Sequence, residues 1–166
     1  MRQKVEPYSA MAETLAGLGR DGLLLVTGET GNPMTIGWGT VGPIWNRPVF
    51  TILVRPSRHS FTLLEELPEF TVSVPTEQHS KALSICGTKS GRDVDKMDAC
   101  WFTPAVSSDI AVPYITECPI HYECRVIHRN DLPNAELDPR IIENTYPRGD
   151  FHRVFYGEIL GVYREG

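Results

Sequence analysis

The sequence predicts a mostly β domain, with an antiparallel sheet closed into a barrel and a few short helices outside it. Three observations carry this expectation. About six apolar or alternating runs of strand length punctuate the chain. The helical patterns between them are too few and too short for a regular alternation of strands and crossover helices. No G-x-G-x-x-G that leads from a strand into a helix occurs, and no G-x-x-x-x-G-K-[ST], so the two commonest nucleotide fingerprints of parallel α/β folds are missing. A doubly wound parallel sheet is the alternative that this pattern disfavours.

The elements follow in order. Met11, Leu15 and Leu18 recur at helical spacing between Pro7 and a closing Gly17 or Gly19, which predicts an N-terminal helix within residues 1–20. GLLLVTG (22–28) is a compact strand bounded by glycines, and ETGNP (29–33) is turn chemistry. MTIGWGTVG (34–42) alternates, and its glycines suggest a strand that something approaches closely. PVFTILV (48–54) is nearly all apolar, as a strand buried on both faces would be. FTLLEELPEF reads as a short helix closed by Pro68, followed by the strand Phe70 to Val74. A second short helix runs from His79 to Cys86, and GTKSGRDVDK (87–96) is a polar loop. Residues 109–116 carry another apolar stretch near a proline. PIHYECRVIH (119–128) predicts a long strand. Residues 130–150, rich in Asn, Asp, Pro and Gly, allow one helical turn at Arg140 to Asn144, and the last strand spans Phe151 to Val162.

Length and composition bound the function. The 166 residues suggest one domain, 1–166, with 41% hydrophobic and 22% charged residues. A net charge of −5 argues against general binding to nucleic acid or to a membrane surface, while still allowing a local basic pocket. The N-terminus lacks the apolar core of a signal peptide, and the longest apolar stretch falls far short of the ~20 residues that span a bilayer. Cys86, Cys100, Cys118 and Cys124 form no CxxC, and the histidines do not fall at zinc spacing. They read as reduced thiols of a cytoplasmic protein, with no metal site expected. Cys118 and Cys124 would share a face if they lay on one strand.

Four stretches could carry chemistry. RPSRHS (55–60) follows a strand and opens a helix, where free backbone N–H groups and the positive end of the dipole add to Arg55, Arg58 and His59. The plain alternative is a polar turn capped by Ser57 or Ser60. In GNPMTIGWG (31–39), Gly37 and Gly39 flank Trp38; either a flat ligand approaches the backbone, or the glycines relieve crowding around a core tryptophan. In CGTKSGRDVDK, Lys89, Ser90 and Arg92 sit among glycines, as in loops that wrap phosphate oxygens with amides, or as in an ordinary solvated turn. In GDFHRVFYGE, His152 precedes an aromatic strand whose Gly157 again invites close approach; a lone histidine there is otherwise structural.

The ordered set NPMTIGWG, FTILVRPSRHSF, FTVSVP, CGTKSGRDVDK and HRVFYGEI resembles the flavin reductase-like family of FMN-binding split barrels, which includes the flavoredoxins, from about Gly22 to Tyr163. The resemblance implies a six-stranded antiparallel Greek-key split barrel, a homodimer with flavin near the subunit interface, and noncovalent FMN. It implies that Met34, Thr35, Gly37 and Trp38 border the isoalloxazine ring. Arg55, Ser57, Arg58, His59 and Ser60 would surround the phosphate and ribityl chain, with Lys89, Ser90 and Arg92 closing the site. His152 matches a histidine that members place near the flavin or nicotinamide. The segment 130–150 is longer than the hairpin typical of many members and suggests a lid or dimer arm.

The function so implied is an oxidoreductase that takes hydride from NAD(P)H onto FMN N5 and reduces flavin or another small acceptor. His152 is the expected proton donor or ring-orienting residue, titrating near neutral pH. Two alternatives stay open: an electron-transfer protein of flavoredoxin type reduced by a redox protein partner, and a non-redox binding domain on the same barrel.

Overall fold

The computed structural model describes residues 1–132 and 134–166. In chain order the elements are β1 (Arg2–Val5), α1 (Met11–Leu18), β2 (Leu23–Thr27), β3 (Asn32–Ile36), β4 (Gly39–Ile44), β5 (Arg47–Val54), α2 (His59–Glu66), β6 (Glu69–Val74), α3 (Ser80–Thr88), α4 (Lys96–Ala99), β7 (Pro104–Ala105), β8 (Tyr114–Ile115), β9 (Ile120–Asp131), α5 (Pro139–Thr145) and β10 (Arg153–Glu165). Short 3-10 turns at Glu77–His79 and Asn134–Glu136 precede α3 and α5.

An eight-stranded antiparallel sheet runs β3–β2–β6–β9–β10–β5–β4, with β1 added against β10, and β7 and β8 form a separate pair. This is the expected antiparallel barrel with two strands more than the expected six. The run 34–42 breaks at Gly37 and Trp38 into β3 and β4 instead of forming one strand. The extra strand β1 pairs Arg2 with Glu165 and Val5 with Val162. Four charged or polar-flanked residues carry too little periodicity to announce it. The predicted N-terminal helix starts later than Pro7, because residues 7–10 form turns. The helical turn expected at Arg140 to Asn144 falls inside α5.

The sheet begins and ends on consecutive strands. β3 pairs only with β2, and β4 only with β5, so among the described residues no ladder joins β3 to β4. That gap is the split of the barrel, and the functional cleft lies along it.

Inward side chains fill the barrel: Leu23, Leu25, Phe50, Ile52, Phe70, Val72, Tyr122 and Phe155 belong to one continuous core. The alternate residues of β2, Leu24 and Val26, pack outside with Leu83, Cys86, Met97, Phe102 and Ile115. Burial on both faces therefore belongs to β2, and not to all of β5, where Thr51 and Leu53 stay half-buried. Gly157 has a packing reason rather than a ligand: a Cβ there would strike the Phe70 ring. Cys118 lies before β9, in the outer core, while Cys124 faces the barrel, so the two thiols do not share a strand face.

Glu123 of β9 is fully buried and charged. It accepts from the Arg2 guanidinium and from the amides of Ser108 (3.0 Å) and Asp109 (2.6 Å). Arg2 is itself held between the rings of Tyr114 (4.0 Å) and Tyr163 (3.7 Å). The cluster ties β1, β9, β10 and the 107–115 segment together. Removing one member of such a pair leaves a buried charge and orphaned amides. Glu123→Ala should therefore lower unfolding free energy by about 3–5 kcal/mol, measured by urea denaturation. A loss below about 1 kcal/mol, the range of an exposed pair, would show that the cluster is not structural.

Candidate functional site

At the split, Met34, Thr35, Ile36, Gly37 and Trp38 face Leu53, Val54, Arg55, Arg58 and His152 across a cleft of about 190 Å³. The position follows from topology. The unpaired edge of β3 and the end of β5 flank the same opening, and the chain crosses between them at Gly37 and Trp38. Trp38 is 51% exposed, so it is not a core tryptophan. The two glycines separate cleanly. A Cβ at Gly39 would sit 3.0 Å from the Thr51 carbonyl, so packing requires that glycine. A Cβ at Gly37 would meet nothing, which leaves open space beside the backbone where a flat molecule can lie. The Thr35 hydroxyl donates to the Leu83 carbonyl (2.5 Å) and is committed to holding α3 against β3.

A second cleft of about 150 Å³ is lined by Asn32, Met34, Ser57, Arg58, His59, Ser60, Cys86, Lys89, Ser90, Gly91, Arg92 and Lys96. Met34 and Arg58 line both clefts, so the two adjoin. No carboxylate lines this second cleft. Among the described residues none of Arg58, Lys89, Arg92 and Lys96 makes an ion pair. Lys96, only 4% exposed, donates to the carbonyls of Cys86 (3.4 Å) and Lys89 (3.3 Å). Burial draws its ammonium pKa down, and Arg58 adds to that. Burial, Arg92 and Lys96 likewise push His59 down, which keeps it neutral. A Cβ at Gly91 would collide with Asn32 and sit 3.0 Å from the His59 ring. Gly91 thus lets the loop close tightly over the cleft.

The RPSRHS stretch divides its roles. Arg58, not a serine, occupies the N-cap of α2, and no side chain caps this helix start among the described residues. Ser57 lies one residue before the N-cap and is turned to Asp150 instead, its amide (3.2 Å) and hydroxyl (2.5 Å) both donating to that carboxylate. Ser60 accepts from Asn32 Nδ2 at 3.0 Å. Arg55 lines the first cleft but is absent from the second; it donates to the carbonyls of Thr145 (3.0 Å) and Asp150 (3.1 Å). Expected around the phosphate and ribityl chain, it fastens the 145–150 segment while lining the first cleft. Lys89, Ser90 and Arg92 do line the anion-type cleft, and Arg92 donates to the Ser57 carbonyl at 3.1 Å.

His152 faces Trp38 with ring centroids 5.1 Å apart, and its Nδ1 lies 2.6 Å from the Tyr146 hydroxyl. Burial, reinforced by Arg55 and Arg58 and opposed by Asp150, holds its pKa down at about 4. The expectation that it titrates near neutral pH is overturned: it is a neutral imidazole at pH 7. Besides the cleft-lining Ile36, Leu53, Val54, Cys86 and Gly91, the residues missed include Lys96, Asn32, Tyr146 and Asp150. Lys96 was legible as part of the same loop, four residues beyond Arg92. Asn32 and Asp150 sit inside quoted stretches but were passed over because their partners, Ser60 and Ser57, are distant in sequence, and Tyr146 lies outside every motif.

Comparisons with known proteins agree with this architecture. The model of the flavin reductase-like domain family matches residues 20–166. A protein of Archaeoglobus fulgidus without an assigned function is 34% identical over 141 residues, covering 84% of this chain and 69% of its own. A flavoredoxin from Methanosarcina acetivorans is similar in structure, with a TM-score of 0.69 and 26% identity over 86% of this chain and 67% of that one. The NADH:FAD oxidoreductase of Streptomyces globisporus C-1027 shares the fold, with a TM-score of 0.65 and 19% identity over 98% of this chain and 87% of that one. With the barrel, its split and the family match together, the chain belongs to the flavin reductase-like domain family.

Proposed function

We propose that the protein is an FMN-dependent oxidoreductase that takes electrons from NAD(P)H and passes them to a flavin or another small acceptor. The observation that carries the cofactor is the cation cleft, in which Arg58, Lys89, Arg92 and Lys96 meet without a carboxylate. Like charges in a half-buried cleft repel by on the order of 1–4 kcal/mol per close pair, and a phosphate dianion is the group that offsets this. The residues fit FMN in arrangement as well as in charge. A cationic cleft adjoins, at Met34 and Arg58, one walled by Met34, Ile36, Leu53 and Val54 beside Trp38.

When bound, FMN would supply the redox chemistry by accepting and donating electron pairs at its ring. This chain's residues do the rest. Arg58, Arg92, Lys89 and Lys96 hold the phosphate, assisted by the uncapped start of α2. Gly37 leaves room for the ring edge against the backbone, and Trp38 offers a half-exposed aromatic face beside it. His152 presents a neutral imidazole to the same cleft and orients whatever lies there by hydrogen bonding. Because it is uncharged at pH 7, it does not serve as a ready proton donor in the free protein.

A second reading is favoured by the 26% identity to a flavoredoxin. In it the protein passes electrons between protein partners and has no nicotinamide step. In either reading we place it as a homodimer, supported by two exposed tryptophans that a second copy would cover, Trp38 (51%) at the split and Trp45 (57%) in the β4–β5 turn. The four free cysteines fit a reducing cytoplasmic compartment, and among the described residues no helix is long and apolar enough to cross a membrane.

Two measurements test these readings. FMN titrated into the protein should bind with a changed visible spectrum, and Arg58→Ala should weaken binding about 10- to 100-fold, the range of a lost charge-assisted hydrogen bond. Unchanged affinity would move the phosphate elsewhere, and no binding at all would favour the non-redox domain. Anaerobic mixing of the FMN-loaded protein with NADH or NADPH should bleach the flavin on a catalytic timescale. Slow bleaching by both nucleotides, with fast reduction by a ferredoxin, would select the electron-transfer reading.

A further inference from the structure

We propose that Tyr146, outside every motif of the sequence, is a positioning residue that fixes His152 in one tautomer. Nδ1 accepts from the phenol, and Nε2–H is turned to the cleft as a hydrogen-bond donor. The significance of that donor rests on the functional reading above; the tautomer itself does not.

The phenol is held from several sides. Tyr146 is only 4% exposed, although α5, which it ends, has no buried residue. Its amide donates to the Ile142 carbonyl (2.9 Å), and its carbonyl accepts from Gly149 (3.0 Å). Its ring stacks on Phe151, with centroids 4.5 Å apart and planes at 20°. The Arg55 guanidinium lies 5.0 Å from the ring centroid, and its N–H groups bond the carbonyls of Thr145 and Asp150 on either side. Asp150 in turn accepts from Ser57. One arginine at the end of β5 therefore locks the whole 145–150 segment in the place where the phenol meets the histidine.

Hydrogen-bond accounting then chooses the tautomer. A neutral imidazole has one N–H and one lone pair on nitrogen. Among the described residues the Tyr146 hydroxyl makes no hydrogen bond other than that to His152 Nδ1, at 2.6 Å. Its proton finds an acceptor only if Nδ1 is bare, and that puts the ring proton on Nε2. Among the described residues Nε2 has no hydrogen-bond partner and is not an enclosed unsatisfied atom, so it is open to the cleft that His152 lines. The groups facing the ring are Arg55 from β5, Arg58 from the start of α2, Asp150 and Tyr146 from the 145–151 segment, and Trp38. The two arginines oppose protonation, and only Asp150 favours it. Tyr146 so gives the cleft a donor that keeps its form across the neutral range, suited to an uncharged carbonyl or ring-nitrogen acceptor.

The test is nitrogen NMR of 15N-histidine-labelled full-length protein, with and without FMN, in the wild type and in Tyr146→Phe, which keeps the ring. The wild type should show His152 as the Nε2–H tautomer alone. In Tyr146→Phe the two tautomers should mix, and the His152 pKa should rise by about half to one unit, as expected for loss of one hydrogen bond to the neutral form. A wild-type His152 carrying its proton on Nδ1, or a folded variant with unchanged tautomer and pKa, overturns the proposal. The wild-type spectrum decides even if the variant fails to fold. A protein that shows the signature but binds no FMN would sink the functional reading and leave the Tyr146 assignment standing; FMN binding without the signature does the reverse.

Discussion

Arg58, Lys89, Arg92 and Lys96 converge on one cleft of a protein whose net charge is −5, with no carboxylate lining it. That unbalanced charge is the constraint around which the site is arranged. Three of the four cations are held from behind by the fold. Lys96 is anchored by carbonyls at the end of α3, Arg92 by the Ser57 carbonyl, and Arg58 by its place at the start of α2. The cost of gathering them is carried by the surrounding core, in which Cys86, Met97 and Leu83 pack behind the loop against β2. An anion bound in front removes the repulsion and couples ligand binding to the stability of this loop.

The split of the barrel gives that charge its use. Because β3 and β4 follow one another without pairing, the sheet has an edge at each side of the gap. An unprotected edge invites association with other chains. Here it is occupied by the cleft, with Trp38 on one side and His152 on the other. The 139–152 segment is fastened to it by Arg55 and Asp150, so its position and the shape of the cleft are linked. The segment expected to be a lid or dimer arm is joined to the end of β5 through Thr145 and Asp150.

Much of this was legible in the residues. Apolar alternation marked β6, β9 and β10, and the motifs brought Met34, Trp38, Arg58, Lys89, Arg92 and His152 to one region. What failed did so for physical reasons. The β3–β4 break and β1 depend on which edges find partners, which no local pattern records. Ser57 looked like a helix cap because its competitor, Asp150, is far away in sequence. Arg55 and Arg58 are three apart in one motif, yet one holds the 145–150 segment and the other faces the cleft; only the course of the chain after Pro56 separates them. His152 looked like a titrating acid until its burial beside two arginines was known.

The most direct measurement of the central claim is a comparison of FMN with riboflavin, which has the same ring and ribityl chain but no phosphate. If the four cations form a phosphate site, FMN should bind at least about tenfold more tightly, and added salt should narrow the difference. Equal affinities, or a preference for riboflavin, would contradict the assignment of this cleft to the phosphate.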